Sequence, residues 1–476
     1  MSYNDLREWL ARVDEFGELR HVDGMELGLD IGTLYELSWE KKSLPTIVFD
    51  KIKGFPAGYR IVTTAQSPRV TGLTLGLPYG DNVMKLTQGM REKLRADKRV
   101  APKLVETGPI LENVHLGDDV NLHEFPVPTW HELDGGPYIG TGCAVITRDP
   151  DEGWVNLGTY RVQLHDKNTL GFYISPGKHG RIHREKYYAR GEPCPVAISF
   201  GQDPLLFTVA SAQVPWGVSE YEIAGGFTGE PVEVVRGPVT GLPIPANAEI
   251  VIEGESYPSE TRMEGPFGEF TGYYGSGERE EPLIRVKSVL HRNEPILFGV
   301  PPMKPGGAAG ASQQVICAAV VWNGLERTGV PGIMGVCVYQ AWFMMVVSMR
   351  QQYPGHSKQV AALAGQLPGA AYCGRWVVVV DEDIDPTNFS DVMWALSSRC
   401  DPAISLDILH RTWSSPLDPM SNSGLLEGGP RVFNSRVIVD CCIPYELKTR
   451  KLFPAVVGAS REDKARVDAA WGALIE

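Results

Sequence analysis

The segment Glu264-Gly265-Pro266-Phe267-Gly268-Glu269 sets two carboxylates on either side of a Gly/Pro turn, where their side chains stay close together. Upstream, Asn156, Arg161, His179 and Glu220 lie on or beside stretches with strand character. Two carboxylates sharing an arginine are driven to different pKa values, so one of them stays protonated and can act as an acid. An amide oxygen, an imidazole and a carboxylate suit a hard divalent cation, magnesium or manganese, better than zinc, which takes more nitrogen and sulfur. The chemistry on offer is proton transfer to a reacting carbon, beside an ion able to bridge the protein to an anionic group.

Each residue alone has a plainer reading. A glutamate pair on a turn is usually solvated, and an arginine such as Arg161 usually makes a surface ion pair at a strand edge. His179, in Ser175-Pro-Gly-Lys-His-Gly180, could be a loop histidine bonded to backbone. Asn156 could cap a turn, and Glu220 a helix. Against this, the flanks Arg262-Met263 and Phe270-Thr271-Gly272-Tyr273-Tyr274 are too aromatic and glycine-rich for an ordinary solvated turn.

These residues depend on the elements that carry them. Leu6, Trp9, Leu10 and Val13 share one helical face, with Gly17 as a stop signal. Strand-like runs follow at Thr46–Phe49 and Arg60–Thr64, then an amphipathic helix near Asp81–Lys98. Pro102 to Pro137, rich in Pro, His and acidic residues, reads as a long covering loop. From Gly140 to Val300 strand patterns dominate: Val155–Leu164, Thr169–Ile174, Val196–Phe200, Leu206–Val209, Glu249–Ile252, Leu283–Leu290 and Ile296–Val300, with Asp166-Lys167-Asn168 as a hairpin turn. After Lys304-Pro305-Gly306-Gly307, helical stretches at Ala311–Leu325, Lys358–Leu367 and Asp391–Arg399 alternate with strands at Gly332–Tyr339 and Trp376–Val380, the signature of βαβ units. Ser460 to Asp463 resembles a capping box, opening a helix whose Val467, Ala470, Trp471 and Leu474 share a face that should dock on the protein or on a partner subunit.

With 476 residues the chain exceeds what one core usually serves. Its 43% hydrophobic and 22% charged residues are those of an ordinary globular protein. A net charge of −13 argues against nucleic-acid or membrane-surface binding, which need a basic face. The eight cysteines include no C-x-x-C pair, which excludes a zinc knuckle and fits reduced thiols. With no signal-like start and no apolar run of about 20 residues, the expected location is the cytoplasm. There is no G-x-x-x-x-G-K-[ST] loop, H-E-x-x-H or G-x-S-x-G, and Gly306 to Gly310 does not follow a strand in dinucleotide-binding register.

Over nearly its whole length the chain resembles the UbiD family of prenylated-FMN-dependent decarboxylases. The matching blocks are Thr141-Gly142, Asn156-x4-Arg161, Pro176-x-x-His179, Ser219-Glu220-Tyr221-x-x-Ala224-Gly225, Glu264-Gly-Pro-Phe-Gly-Glu269, Tyr353-Pro-Gly-His356, Val380 to Asp385 and Val392 to Arg399. The resemblance implies an α+β chain. A flavin-reductase-like split β-barrel domain with flanking helices would span residues 1–303, an α/β oligomerisation domain 304–455, and a C-terminal helix 456–476. It implies Arg161, Glu264 and Glu269 as the catalytic network, with Glu269 as proton donor. Asn156, His179 and Glu220 would hold a divalent metal, manganese or magnesium, that ties down the cofactor phosphate, with potassium nearby. Thr141, Ser211 and Lys178 would line prenylated FMN, the azomethine ylide that adds to the substrate. By the same alignment Phe270, Gln313, Tyr372, Cys373, Ser415 and Leu417 would form the substrate pocket, a flat slot of mixed polarity.

The chain departs from this pattern at one point. Some relatives carry a lysine just before the residue matching Tyr372; here the neighbourhood reads Gln-Leu-Pro-Gly-Ala-Ala, leaving Lys178 or Lys358 as substitutes. The implied reaction is reversible non-oxidative decarboxylation of an aromatic or heteroaromatic acid, releasing CO₂. An arylacrylic acid is the alternative substrate. A flavin oxidoreductase and a non-catalytic flavin-binding protein are the alternatives from other classes. The implied partners are a prenylated-FMN synthase that supplies the cofactor and further copies of the chain, as a homodimer or larger homo-oligomer.

Overall fold

Strand Arg279–His291, thirteen residues long, is the spine of the chain. It pairs antiparallel with Ile250–Ser256, Thr169–Gly171, Thr261–Glu264 and Asn113–Leu116. These strands belong to a ten-stranded sheet that continues through Cys194–Phe200 to Cys143–Arg148 and Val155–Gly158, and on the other side through Val162–Asp166 to Tyr138–Gly140. In this computed structural model, which describes residues 3–41, 45–64, 66–78, 80, 82–275, 277–304, 310–339, 342–422 and 433–474, the sheet curls into a half-barrel and the class is α+β, as expected.

Alternate residues of the strands fill the half-barrel: Val145, Ile198, Phe200, Ile250, Ile252 and Val289 form one core with Phe172 and Trp130. The N-terminal helix Leu6–Glu15 buries the expected stripe Leu6, Trp9, Leu10 and Val13. It packs on a four-stranded sheet of Leu19–Asp23, Thr46–Asp50, Arg60–Thr63 and Ile296–Gly299, the last tying the N-terminal segment to the main body. The expected βαβ pattern holds after residue 310. Parallel strands Met344–Met349, Trp376–Asp381 and Phe433–Cys441 lie in a five-stranded sheet, with helix His356–Ala364 between the first two. Residues 305–309, where the boundary reading falls, lie outside the described residues.

Three local expectations are corrected. Leu206–Val209 is part of helix Pro204–Ala210, not a strand. All seven of its residues are buried, so periodicity carried no information, whereas Asp203-Pro204 supplies the N-cap and first-turn proline of a helix start. The run Val155–Leu164 is broken: Val155–Gly158 pairs with Cys143–Arg148, and Val162–Asp166 pairs elsewhere, with Thr169–Gly171 and Tyr138–Gly140. Residues 102–137 are not a plain loop. They hold strands Lys103–Leu104 and Asn113–Leu116 with three 3-10 turns.

The terminal helix Arg461–Trp471 is capped by Ser460, which accepts from the Asp463 N–H as expected. Its Val467 and Trp471, with Leu474 just beyond, are exposed, so within this chain the apolar face docks on nothing among the described residues.

Candidate active site

The break at Thr159–Arg161 lets Arg161 leave the sheet's pairing pattern and turn inward. Its guanidinium donates from Nε to Glu264 Oε1 at 2.8 Å and from Nη2 to Glu264 Oε2 at 2.7 Å, a two-pronged grip. A third bond runs from Nη1 to Glu269 Oε1 at 2.6 Å. All three residues are buried, Glu264 at 1% exposure. Arg161 also lies over the Tyr173 ring at 4.4 Å, and the Tyr138 hydroxyl donates to Glu264 Oε1 at 2.9 Å.

The two glutamates come together because Thr261–Glu264 ends at the first and a tight loop carries the second. The loop has Gly265 at φ +90° and a cis Gly265–Pro266 bond. Gly135 packs so closely against it that a Cβ would stand 1.9 Å from the Gly265 carbonyl oxygen. The Gly268 N–H donates to Asp134 Oδ1, and Gln163 bonds to both Gly265 and Gly135. The turn is clamped by the segment the sequence suggested was only a cover.

One guanidinium and two carboxyl groups meet in a buried place, and the balance is uneven. Burial lowers the pKa of Arg161, but Glu269 and Glu264 outweigh it, and the guanidinium stays charged. Burial pushes Glu269 above its ordinary value, against the pull of Arg161. Glu269 has one bond from Arg161 and faces a cavity, whereas Glu264 takes two and lies behind the wall.

The cavity has a volume of about 520 Å³ and lies between the half-barrel and the residues after 310. Asn156, Thr141, Lys178, His179, Ser211 and Glu220 line it together with Arg161 and Glu269. His179 and Glu220 are the first residues of helices His179–Ala189 and Glu220–Thr228, whose positive dipole ends suit an anion, with the Gly180 N–H held by the Tyr160 hydroxyl. Glu220 accepts from the Leu157 N–H at 2.7 Å, and burial pushes its pKa up to about 8, because no Lys or Arg pairs with it among the described residues. Burial and then Lys178 lower the pKa of His179, leaving a neutral imidazole. Asn156 is buried on the same cavity wall, and its amide oxygen is the atom a cation would take. A buried carboxylate with no counter-charge beside a neutral imidazole and an amide is a donor set that a divalent cation would complete.

Lys178 and Lys358 are told apart. The Lys178 amine lies 4.8 Å from the Tyr372 ring centre and inside the cavity wall, its pKa lowered by desolvation, while Lys358 pairs with Asp407 away from it. Phe270, Gln313, Tyr372 and Leu417 line the cavity. Cys373 and Ser415 do not: both are fully buried behind the wall, and Ser415 serves by taking the Tyr372 hydroxyl bond at 2.6 Å. Sequence reasoning missed Tyr138, Tyr173, Trp342 and Trp413. Trp342 meets Phe270 edge-on at 5.0 Å and Trp413 meets Tyr372 at 5.3 Å. Lone aromatics carry no spacing signal that would have singled them out.

Residues 103–305 match the family model described as the 3-octaprenyl-4-hydroxybenzoate carboxy-lyase Rift-related domain, and 313–441 match the corresponding C-terminal domain. The chain is 34% identical to a phenolic acid decarboxylase of Bacillus subtilis, over 94% of each chain. It is 32% identical to a pyrrole-2-carboxylic acid decarboxylase of Pseudomonas aeruginosa, over 92% of this chain and 91% of the relative. Among solved structures it superposes on the vanillic acid decarboxylase of Sedimentibacter hydroxybenzoicus in its open form, with a TM-score of 0.86, 28% identity and full coverage of both chains. The UbiD-class enzyme HmfF of Pelotomaculum thermopropionicum, in complex with FMN, follows with a TM-score of 0.83 and 27% identity, over 95% of this chain and 97% of that one.

Proposed function

The chain belongs to the UbiD family and is a decarboxylase, and from that premise we propose that it catalyses reversible, non-oxidative decarboxylation of an aromatic or heteroaromatic acid with prenylated FMN. The observation that carries the proposal is the buried Glu264–Arg161–Glu269 chelate at the edge of a cavity of about 520 Å³. An sp² carbon cannot lose CO₂ readily, because the electron pair left behind lies outside the π system. When bound, prenylated FMN supplies the missing electron sink.

The residues of the chain do the rest. Arg161 has five N–H groups and spends three on the glutamates, which leaves two to orient a substrate carboxylate. Glu264 and Tyr138 hold that guanidinium in one plane. Glu269, whose raised pKa favours the acid form, carries a proton on the oxygen not engaged by Arg161 and delivers it to the carbon that has lost CO₂. In the reverse direction the same carboxylate takes the proton back. Tyr173 and Phe267 flank Arg161 and exclude water, which strengthens each charge interaction.

Asn156, His179 and Glu220 would hold the divalent metal that neutralises the cofactor phosphate, with Lys178 and the positive ends of the two helices adding to the attraction. The same reading divides the chain into residues 1–303, 304–455 and 456–476. The confinement of the ten-stranded sheet to residues before 303 and of the five-stranded sheet to residues after 304 supports this. The exposed apolar face of Arg461–Trp471 supports assembly with further copies of the chain.

The test is co-expression with a prenylated-FMN synthase, mass spectrometry of the bound flavin, and a screen for CO₂ release from pyrrole-type, phenolic and arylacrylic acids. The expected result is prenylated FMN with turnover of a ring-bearing acid. Plain FMN with no CO₂ release from any acid would overturn the assignment.

A further inference from the structure

Strand Asn113–Leu116 pairs antiparallel with the end of Arg279–His291, and His115 stands opposite Val289. Side chains two apart along a strand share a face, so His115 and His291 are diagonal neighbours on one surface of the sheet. Their rings lie parallel within 5°, with centroids 5.4 Å apart and Nε2 atoms 3.3 Å apart. The 3-10 turn Leu122–Glu124 brings a carboxylate against them, so that one ligand atom from each of the three residues lies within 4.8 Å of the others. None of the three lines the cavity described above.

Two details favour a ligand over a plain hydrogen bond. Glu124 Oε1 is buried with no hydrogen-bond partner, a cost that an N–H···N contact between the two histidines leaves unexplained. His291 Nδ1 lies 2.8 Å from the Arg292 carbonyl oxygen, so Nδ1 carries the proton and the Nε2 lone pair faces His115 and Glu124. A carbonyl on the second nitrogen is how proteins orient a ligating imidazole. The spacing also fits: metal–nitrogen bonds of about 2.0–2.1 Å in a tetrahedral site put two nitrogens about 3.3 Å apart.

We propose that His115, Glu124 and His291 form a binding site for a zinc-class divalent cation, with its fourth position open to water on the part-exposed side of His115 and Glu124. Two imidazoles and one carboxylate favour zinc or cobalt over magnesium. The ion clasps residues 113–124 to the long strand. The same segment continues to Asp134, which holds Gly268 between the two catalytic glutamates.

The experiment uses the full-length protein, stripped with EDTA and dialysed. Zinc is titrated against a chromophoric chelator, and cobalt uptake is followed by visible absorption, in wild type, His115→Asn and Glu124→Gln. Wild type should bind one zinc-class equivalent more than His115→Asn and show tetrahedral cobalt bands. Both variants should bind that equivalent at least tenfold more weakly, with unchanged circular dichroism of the metal-free protein. Should His115→Asn fail to fold, Glu124→Gln, which keeps both rings, decides alone. Equal zinc stoichiometry and affinity in wild type and the folded variants, or no tetrahedral cobalt bands in wild type, would overturn the proposal.

Discussion

The reacting end of the cavity and its far wall are built in opposite ways. At the reacting end, Arg161, Glu264, Glu269 and Tyr138 are joined by four charge-assisted hydrogen bonds of 2.6 to 2.9 Å, all contributed by residues 138–269. The far wall draws on residues 342–417 and relies on edge-on ring contacts, Phe270 with Trp342 and Tyr372 with Trp413, with one hydroxyl bond from Tyr372 to Ser415. Charge-assisted bonds fix angles as well as distances, whereas ring contacts tolerate repacking. Under the proposed function, the chemistry would be locked where the carboxylate sits, and the choice of acid left to a wall that substitutions can reshape.

The largest expected effect breaks the locked end chemically without disturbing its shape. Glu269→Gln should lower the rate of CO₂ release by about 10²–10⁴-fold while bound flavin, read by absorbance, is retained. Activity within a few-fold of wild type would remove Glu269 from the role of acid.

Breaking the chelate itself comes next. Arg161→Met leaves Glu264 and Glu269 facing each other in a dry site, and should cost about 3–5 kcal/mol of stability, measured by urea unfolding at pH 7. The loss should shrink at low pH, where both carboxyls are protonated.

The pH profile sharpens the contrast between the two glutamates. Burial raises the pKa of Glu269, so its proton persists above the usual carboxyl range, and the protonated fraction falls as pH rises through the raised value. Decarboxylation should decline on that alkaline limb, and the limb should be missing from the residual activity of Glu269→Gln. Removing one strut is milder: Tyr138→Phe deletes the hydroxyl bond to Glu264 and should cost about 1.5–3 kcal/mol in kcat/KM. Smallest in rate, Trp413→Leu should leave kcat within about threefold and change the ratio of KM values between a phenolic and a pyrrole-type acid. A Trp413→Leu enzyme as impaired as Glu269→Gln would erase the distinction between the two ends.

Much of the site was legible because its members lie close together in sequence or carry rare chemistry. Glu264 and Glu269 flank one turn, and the structure brings both to Arg161 as the spacing suggested. The pocket residues were harder. Tyr372 and Leu417 were found by alignment and line the cavity, but Cys373 and Ser415, their immediate neighbours or near neighbours, point behind it. A single-residue step turns a side chain from one face of a wall to the other, and alignment does not resolve that.

The sequence by itself determined the helix stripe of Leu6 to Val13 and the alternation after residue 310, and its resemblance to a known family implied the α+β class and which residues carry charge into the site. The stripe and the alternation follow from local periodicity, whereas the class and the site residues came through motif blocks whose spacing matches the family. Only the tertiary structure decided that Val155–Leu164 breaks at Arg161, that Pro204–Ala210 is a helix, and that His115, Glu124 and His291 meet on one face. Strand switching, full burial of a short run and contacts spanning more than 160 positions all depend on which partners the folded chain supplies, and a local pattern carries no record of those partners.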